Sequence, residues 1–271
     1  MKPKPAGSSS SYRPNARILI KRRVSVEVDG ENRTISKFEK HYIDASNDYH
    51  TKHGIIRKDD LQRKSGSLIK QGSNEFIIFD ADFIDDYKHL RRLAQIITLK
   101  DVGAIIVNTG MTRDSRVLDA GAGSGALACY LGKVVKKVVS YDIEDSSIDV
   151  SRENVKRLCL KNVEIKKGDI YDAKSISEKE KGFDVVVLDV PEPWRALDTV
   201  RKSLRIGGFI AVYLPNISQV QEFVKALSDD LLVENTIEAT EREWVVDARR
   251  TRPATKEYSH TAFLTFVRRI R

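Results

Sequence analysis

From residue 116 onward, short apolar runs alternate with segments of helical periodicity. RVLDA (116–120), KVVSYD (137–142), VEIKKGD (163–169) and FDVVVLD (183–189) have strand length and are rich in valine. Continuous apolar runs of this kind predict strands buried on both faces of a parallel sheet. GSGALACYLGKVV and SSIDVSRENVKRLCL (146–160) predict the first helices between them. A helix through PWRALDTVRKSL, a strand GGFIAVYLP and a helix SQVQEFVKALS continue the alternation, and two β-like stretches, around LVENTIEATEREWVV and TAFLTFVRRI, close the chain. The alternation predicts an α/β fold with a doubly wound, mostly parallel sheet.

The pattern before residue 81 is different. ARILIKRRVSVEV, RTISKF, GSLIKQG and EFIIFDA are β-like runs, separated by turn signals such as Asp29-Gly30 and Gly72-Ser73-Asn74. They predict a small β domain over residues 15–80, ahead of a larger domain over 81–271. DFIDDYKHLRRL joins the two as a helix, with Phe83, Ile84, Tyr87, Leu90 and Leu93 at helical spacing. Residues 1–14 are expected as a disordered arm.

Composition adds limits. The 41% hydrophobic content of the 271 residues is ordinary for a globular protein, and no apolar stretch approaches the ~20 residues of a membrane span. The opening MKPKPAGSSSSYRPN has no apolar core of a secretory signal. Cys129 and Cys159 have neither metal-type nor disulfide-framework spacing. These features set the expectation of a cytoplasmic chain with no bound metal and no membrane contact. Of the formal net charge of +8, residues 1–30 carry +5 and residues 245–271 carry +5, leaving −2 between them. A near-neutral middle with basic ends suits a polyanion such as RNA, and it equally suits solvated tails.

The candidate chemistry lies at the ends of the predicted strands. VLDAGAGSGALA (117–128) sets Gly121, Gly123 and Gly125 between a buried strand and a helix, where the backbone can turn tightly and approach a ligand. It also fits G-x-G-x-x-G/A with Ala126 last, which leaves a dinucleotide site open. Asp142 ends the second strand, placed to accept from the ribose hydroxyls that NAD and S-adenosylmethionine share. Asp169, followed by Ile170, ends the third strand, and Asp189 ends the fourth. So many carboxylates repel a pyrophosphate and attract a sulfonium, an ammonium, a ribose diol and an exocyclic amine. That chemistry is S-adenosylmethionine. Each acid alone also reads as a cap of a helix or turn. LDVPEPW (188–194) stops its strand on a carboxylate and stiffens the loop with two prolines. It is either a polar strand end or a catalytic loop.

Taken with AVYLPNISQV (211–220), REWVV (242–246) and RPATKEYSHTAFLTFVRRI (252–270), these segments resemble the tRNA adenine-N1 methyltransferases. That family modifies the T-loop adenosine at position 58, and archaeal members also modify position 57. The resemblance runs from about Gly66 to the end, and the small N-terminal β domain is also as the family has it. It implies a class I methyltransferase-like, Rossmann-like fold, tRNA as partner, and a homotetramer.

Residue by residue, it implies that Gly121, Gly123, Ser124, Gly125, Ala126 and Leu127 form the cofactor loop. Asp142 would take the ribose, Asp169 and Ile170 the adenine ring of the cofactor, and Asp189 the reaction centre beside the cofactor. QIITLKD (95–101) would line the cofactor and target pocket, with Gln95 as a cofactor residue. At Thr98-Leu99 this chain departs from the family, which has an aromatic or histidine followed by proline, so another ring must stack on the target base, or none does.

Adenine N1 is already a nucleophile and a sulfonium methyl is already activated, so positioning and electrostatics are the enzyme's expected contributions. Asp189 can stabilise the cationic product base and accept from its exocyclic amine. Trp194 either packs over the site or anchors the core. Extruding a stacked T-loop base costs a few kcal/mol. Arg249, Arg250, Arg252 and His260 are the expected tRNA contacts that offset it, although a histidine there also reads as hydrogen-bonded structure. The rival readings are a methyltransferase with a small-molecule or protein acceptor, an NAD-dependent oxidoreductase, and a non-catalytic tRNA-binding subunit. The last should lack the glycine loop and the strand-end acids.

Overall fold

Alternation of apolar and polar positions builds the first strands. The structure is a computed structural model and describes residues 15–22, 24–28 and 31–36 (these two by backbone alone), 38–93, 95–176, 181–247, 250–255 and 260–271. The arm expected over residues 1–14, the Asp29-Gly30 turn and Arg249 lie outside the described residues. The described residues up to His89 and those from Leu90 onward form two compact units. The division falls after His89 rather than at residue 80.

The smaller unit runs β1 (Ala16–Lys21), β2 (Val24–Val28), β3 (Glu31–Ser36), β4 (Glu39–Asp44), β5 (Tyr49–Thr51), β6 (Gly54–Ile56), a helical turn α1 (Lys58–Leu61), β7 (Ser67–Gln71), β8 (Asn74–Asp80) and α2 (Phe83–Lys88). Its four-stranded sheet has the antiparallel order β4-β1-β8-β7. Leu19 pairs with Ile78 and Ile69 with Phe76, and these four pack with Ile43, Ile56 and Leu61 into one core. Strand β4, with the sequence EKHYID, carried no alternation signal; its pairing with β1 makes it a strand. Helix α2 starts in a reciprocal capping box between Asp82 and Asp85. It stops at Lys88, where the His89 ring N–H donates to the Asp85 carbonyl at 2.7 Å, so Leu90 and Leu93 fall beyond it.

The larger unit runs α3 (Leu99–Thr109), β9 (Arg116–Ala120), α4 (Ala126–Leu131), β10 (Lys137–Asp142), α5 (Asp145–Arg157), β11 (Val163–Lys167), β12 (Phe183–Leu188), a 3₁₀ turn (Pro193–Ala196), α6 (Leu197–Ser203), β13 (Leu204–Leu214), α7 (Ile217–Lys225), β14 (Leu231–Glu238), β15 (Trp244–Asp247), β16 (Arg250–Pro253) and β17 (Phe263–Arg269). The sheet order is β11-β10-β9-β12-β13-β17-β14. The first five strands are parallel, and β17 lies antiparallel between β13 and β14. Leu118, Val139, Phe183, Val186, Ile210, Phe223 and Val267 are buried in its core; each such side chain contributes about 1.5–3 kcal/mol of burial.

Besides β4, helix α3, the strands β5 and β6, and the pairing of β15 with β16 into a ribbon apart from the large sheet went unread in the sequence pattern. No helix among the described residues is long and apolar enough to cross a membrane.

Candidate active site

The chain order of the parallel strands reverses on either side of β9, with β10 beside it on one flank and β12 on the other. In an open α/β sheet the crevice beyond the carboxyl ends of the strands at such a switch point is where ligands bind. Here it is a cleft of about 220 Å³, lined by Gly121, Asp142, Asp169 and Asp189 together with Tyr141, Ile143, Gly168, Ile170, Tyr171, Val190 and Pro191.

The glycine loop is built for close approach. Gly121 adopts φ +94°, and a Cβ there would lie 2.1 Å from the Asp189 carbonyl oxygen. The loop after β9 thus packs directly on the loop after β12, and only glycine permits it. Gly121 and Ala122 donate their N–H groups to the Tyr141 carbonyl, at 3.0 Å each, and Gly123 donates to Asp142 Oδ2 at 2.8 Å. Gly125, at φ +70°, sets the start of α4 against Ser151, where a Cβ would lie 2.7 Å from the Ser151 Cβ.

The acids differ in how fully they are partnered. Asp142 Oδ2 takes the Gly123 N–H and Oδ1 takes the Glu144 N–H at 3.0 Å, so it caps its own turn and holds the glycine loop. Asp169 Oδ1 accepts from the Tyr171 N–H at 2.8 Å. The capping readings are therefore real for both, and each oxygen keeps a lone pair for a ligand. Asp189 is different. Its backbone N–H donates to the Ala120 carbonyl at 2.9 Å, but its carboxylate has no ion pair among the described residues. It opens onto the cleft, yet the surrounding walls desolvate it enough to push it up to about 6.

A fourth acid escaped the sequence reading. Asp119, on β9, is 1% exposed, with Oδ2 accepting from the Ser140 hydroxyl at 2.6 Å and Oδ1 unpartnered. Burial pushes it up to about 7, and the charges of Asp189 and Asp142 reinforce the shift. Inside the run RVLDA it looked like one polar position of a strand; its place just before the glycines was the available signal.

The loop after β12 is held from two sides. Tyr171 accepts the Glu192 N–H on its hydroxyl at 3.1 Å, and the Arg195 guanidinium lies 4.6 Å over its ring while pairing with Glu192 at 2.6 Å. Gln219 donates to the Pro191 carbonyl at 3.3 Å. Trp194 packs against the core, the structural one of its two readings.

Other predicted residues fall elsewhere. Ser124 is buried and accepts the Leu93 N–H on its hydroxyl, so its side chain pins the segment before α3. Ala126 and Leu127 are buried at the start of α4. Gln95 is exposed and is not among the residues lining the cleft. Arg250 and Arg252 are exposed on the β15–β16 ribbon, Arg250 pairing with Asp247. His260 uses both ring nitrogens, on the Pro215 carbonyl and on Glu238, and both bonds raise its affinity for a proton. It ties the end of β13 to β14 rather than opening into the cleft. Tyr141, Ile143 and Tyr171 line the cleft but were not singled out in the sequence.

A cradle that a Cβ at position 121 would fill, acids at three strand ends and apolar walls at Ile143 and Ile170 fit a cationic, diol-bearing, amine-bearing nucleoside. They do not fit a pyrophosphate. Among the described residues no three His, Cys, Asp or Glu side chains converge to hold a metal. With the parallel strands and the reversed β17 inserted before the last position, the fold and site define a class I S-adenosylmethionine-dependent methyltransferase.

The comparisons with known proteins agree. A solved structure described as a SAM-dependent O-methyltransferase from Thermotoga maritima superposes with a TM-score of 0.78 at 26% identity, covering 97% of this chain and 96% of that one. Residues 88–252 match the family described as the tRNA methyltransferase complex GCD14 subunit. The tRNA (adenine(57)-N(1)/adenine(58)-N(1))-methyltransferase TrmI of Methanocaldococcus jannaschii is 31% identical over 242 residues, 79% of this chain and 86% of that one. The tRNA (adenine(58)-N(1))-methyltransferase TrmI of Thermus thermophilus is 30% identical over 227 residues, 82% and 88% of the two chains. The chain belongs to this family of tRNA methyltransferases.

Proposed function

We propose that this chain transfers a methyl group from S-adenosylmethionine to N1 of a T-loop adenosine in tRNA, at position 58 and, as the name of the Methanocaldococcus relative has it, at 57. The observation that carries the proposal is Asp189. In a cleft whose other strand-end acids satisfy backbone groups or lie beneath the loop, it is the exposed carboxylate that accepts no hydrogen bond and makes no ion pair among the described residues.

S-adenosylmethionine supplies an activated sulfonium methyl. The chain's own residues hold and orient. Gly121, Gly123 and Gly125 shape the cradle, Asp142 takes the ribose diol, and Asp169 and Ile170 flank the adenine edge of the donor, with Ile143 and Tyr171 as apolar walls. Asp189 accepts from the exocyclic amine of the target adenine, which orients N1, and it stabilises the positive charge that methylation leaves on the base. With its affinity for protons raised only to about 6, it is ionised at neutral pH and able to serve in this way. Arg250 and Arg252 present guanidinium groups on an exposed ribbon and meet the RNA backbone. Family resemblance supports a cytoplasmic homotetramer, and a sedimentation mass checks the assembly.

The test is to incubate the protein with methyl-labelled S-adenosylmethionine and unmodified tRNA transcript, then map the label. The reading expects N1-methyladenosine in the T loop, lost when positions 57 and 58 are replaced by guanosine. Label in a base-labile ester or a small molecule instead would favour an acceptor of the other kind.

A further inference from the structure

Residues 189–192, which begin with Asp189, belong to no helix or strand, and prolines stand at 191 and 193. Proline fixes φ but brings no N–H, so the loop has few donors with which to anchor itself. The Asp189 N–H donates to the Ala120 carbonyl at 2.9 Å, and the Glu192 N–H donates to the Tyr171 hydroxyl at 3.1 Å. On the exposed side, Gln219 reaches the Pro191 carbonyl from α7 at 3.3 Å. Tyr171 follows Asp169 and Ile170 on the loop after β11, and it lines the donor cleft. Its own N–H on Asp169 Oδ1 and its packing against the large core hold it there. In the sheet, β10 and β9 separate β11 from β12, a distance of three strand spacings or roughly 14 Å. The bond from Glu192 to Tyr171 therefore joins the two flanks of the cleft.

The Tyr171 ring carries a second contact. The Arg195 guanidinium lies 4.6 Å from its centroid and pairs with the Glu192 carboxylate at 2.6 Å. Glu192 is thus held at its N–H by the Tyr171 hydroxyl and at its carboxylate by a cation seated on the same ring. Both side chains of the ion pair are about half exposed, where such a pair adds little stability. What it adds here is a fixed direction for the end of the loop.

We propose that Tyr171 is a positioning residue for methyl transfer, and that Tyr171, Glu192 and Arg195 form a clasp that sets Asp189 against the bound donor. The ring is a wall of the donor site and the hydroxyl fixes the far end of the acid's loop, so donor binding and acid placement share one side chain. With φ fixed at Pro191, a shift at Glu192 passes along the loop to Asp189. The inference rests on the proposed methyl transfer to adenine.

Tyr171→Phe keeps the ring and removes the oxygen that Glu192 uses. The single-turnover rate at saturating donor and tRNA should fall about 5- to 10-fold, as loss of one hydrogen bond predicts. Donor affinity and KM for tRNA should stay within about 2-fold of wild type. Tyr171→Leu, which also removes the ring, should weaken donor binding roughly 10-fold or more. Arg195→Met should lower the rate about 2- to 3-fold, and little further when combined with Tyr171→Phe, because both act on one loop. Amide hydrogen exchange at Glu192 reads the clasp directly: bound donor should slow it in wild type and not in Tyr171→Phe. Rates are taken per donor-binding site, counted by calorimetry, so that a misfolded fraction cannot imitate the effect.

An unchanged rate in Tyr171→Phe would overturn the proposal. So would a rate loss matched by an equal loss of donor affinity, which makes Tyr171 a wall and nothing more. If Tyr171→Phe does not fold, Arg195→Met decides, and an unchanged rate there, with or without a raised KM for tRNA, overturns the clasp. Absence of transfer to tRNA by the wild-type protein would instead overturn the reading of function beneath it.

Discussion

Glu39 in the small unit is a largely enclosed carboxylate and Asp189 in the large one opens onto the cleft, and their surroundings act in opposite directions. Glu39 lies 3.0 Å from His53 Nε2, 3.0 Å from Lys52, 3.4 Å from His41 and 3.6 Å from the buried Lys21. The His53 hydrogen bond first, and Lys52 with it, hold Glu39 down at about 2 against the cost of burial. Asp189 has no such partner among the described residues, and burial alone pushes it up to about 6. A carboxylate satisfied by its own fold is structural; one that the fold desolvates and leaves unpaired is poised for a ligand.

Breaking the comparison at the cleft should have the larger effect. Gly121→Ala places a methyl group against the Asp189 carbonyl and an L-residue at φ +94°. Strain of this kind costs about 1–3 kcal/mol, and displacement of the two loops should remove most S-adenosylmethionine binding in a calorimetric titration. Glu39→Gln should act the other way round. It should destabilise by about 1–2 kcal/mol, through loss of a charge-assisted network, and lower the melting temperature. Methyl transfer per folded molecule should be unchanged.

The pH dependence of stability sharpens the contrast, because the signs differ. Glu39 binds its proton less readily in the folded chain, so its contribution is complete above pH 4.5 and is lost as pH falls towards 2. Asp119 and Asp189 bind theirs more readily, so the contribution is complete below 3.8 and is lost as pH rises through 6 to 7. Denaturant midpoints measured from pH 3 to 8 should show both limbs. Asp119→Asn should flatten the upper one and Glu39→Gln the lower one. The smallest effect belongs to the ribbon. Neutralising Arg250 and Arg252 should reduce the log–log salt slope of tRNA binding by roughly one for each phosphate that is no longer neutralised, and an unchanged slope would remove them from the RNA surface.

The sequence revealed the cleft better than it revealed the cleft's supports. Asp142, Asp169 and Asp189 were legible because each ends an apolar run, and a strand end in a parallel sheet has one possible location. Asp119 was not, because a polar residue within a strand does not disclose whether it points at a helix or at a ligand. Helix α3 was hidden behind QIITLKD, whose buried acid and lysine look like exposed charge until Thr261, 160 residues on, is folded against them. His260 had two readings in the sequence, a tRNA contact and hydrogen-bonded structure, and the structure shows bonds of the second kind. Its partners, Glu238 and the Pro215 carbonyl, are 22 and 45 residues away. Ser124 was expected in the cofactor loop on the family resemblance; here its side chain turns to the Leu93 N–H.

The central claim is that Asp189, as an unpaired carboxylate, assists methyl transfer to adenine without being needed to hold the donor. Its most direct test compares wild type and Asp189→Asn in single-turnover transfer from saturating S-adenosylmethionine to tRNA, with donor affinity measured in parallel. The expected result is a rate lower by about 10²–10³-fold, with donor affinity within a few-fold of wild type. Equal rates in the two proteins would contradict the account.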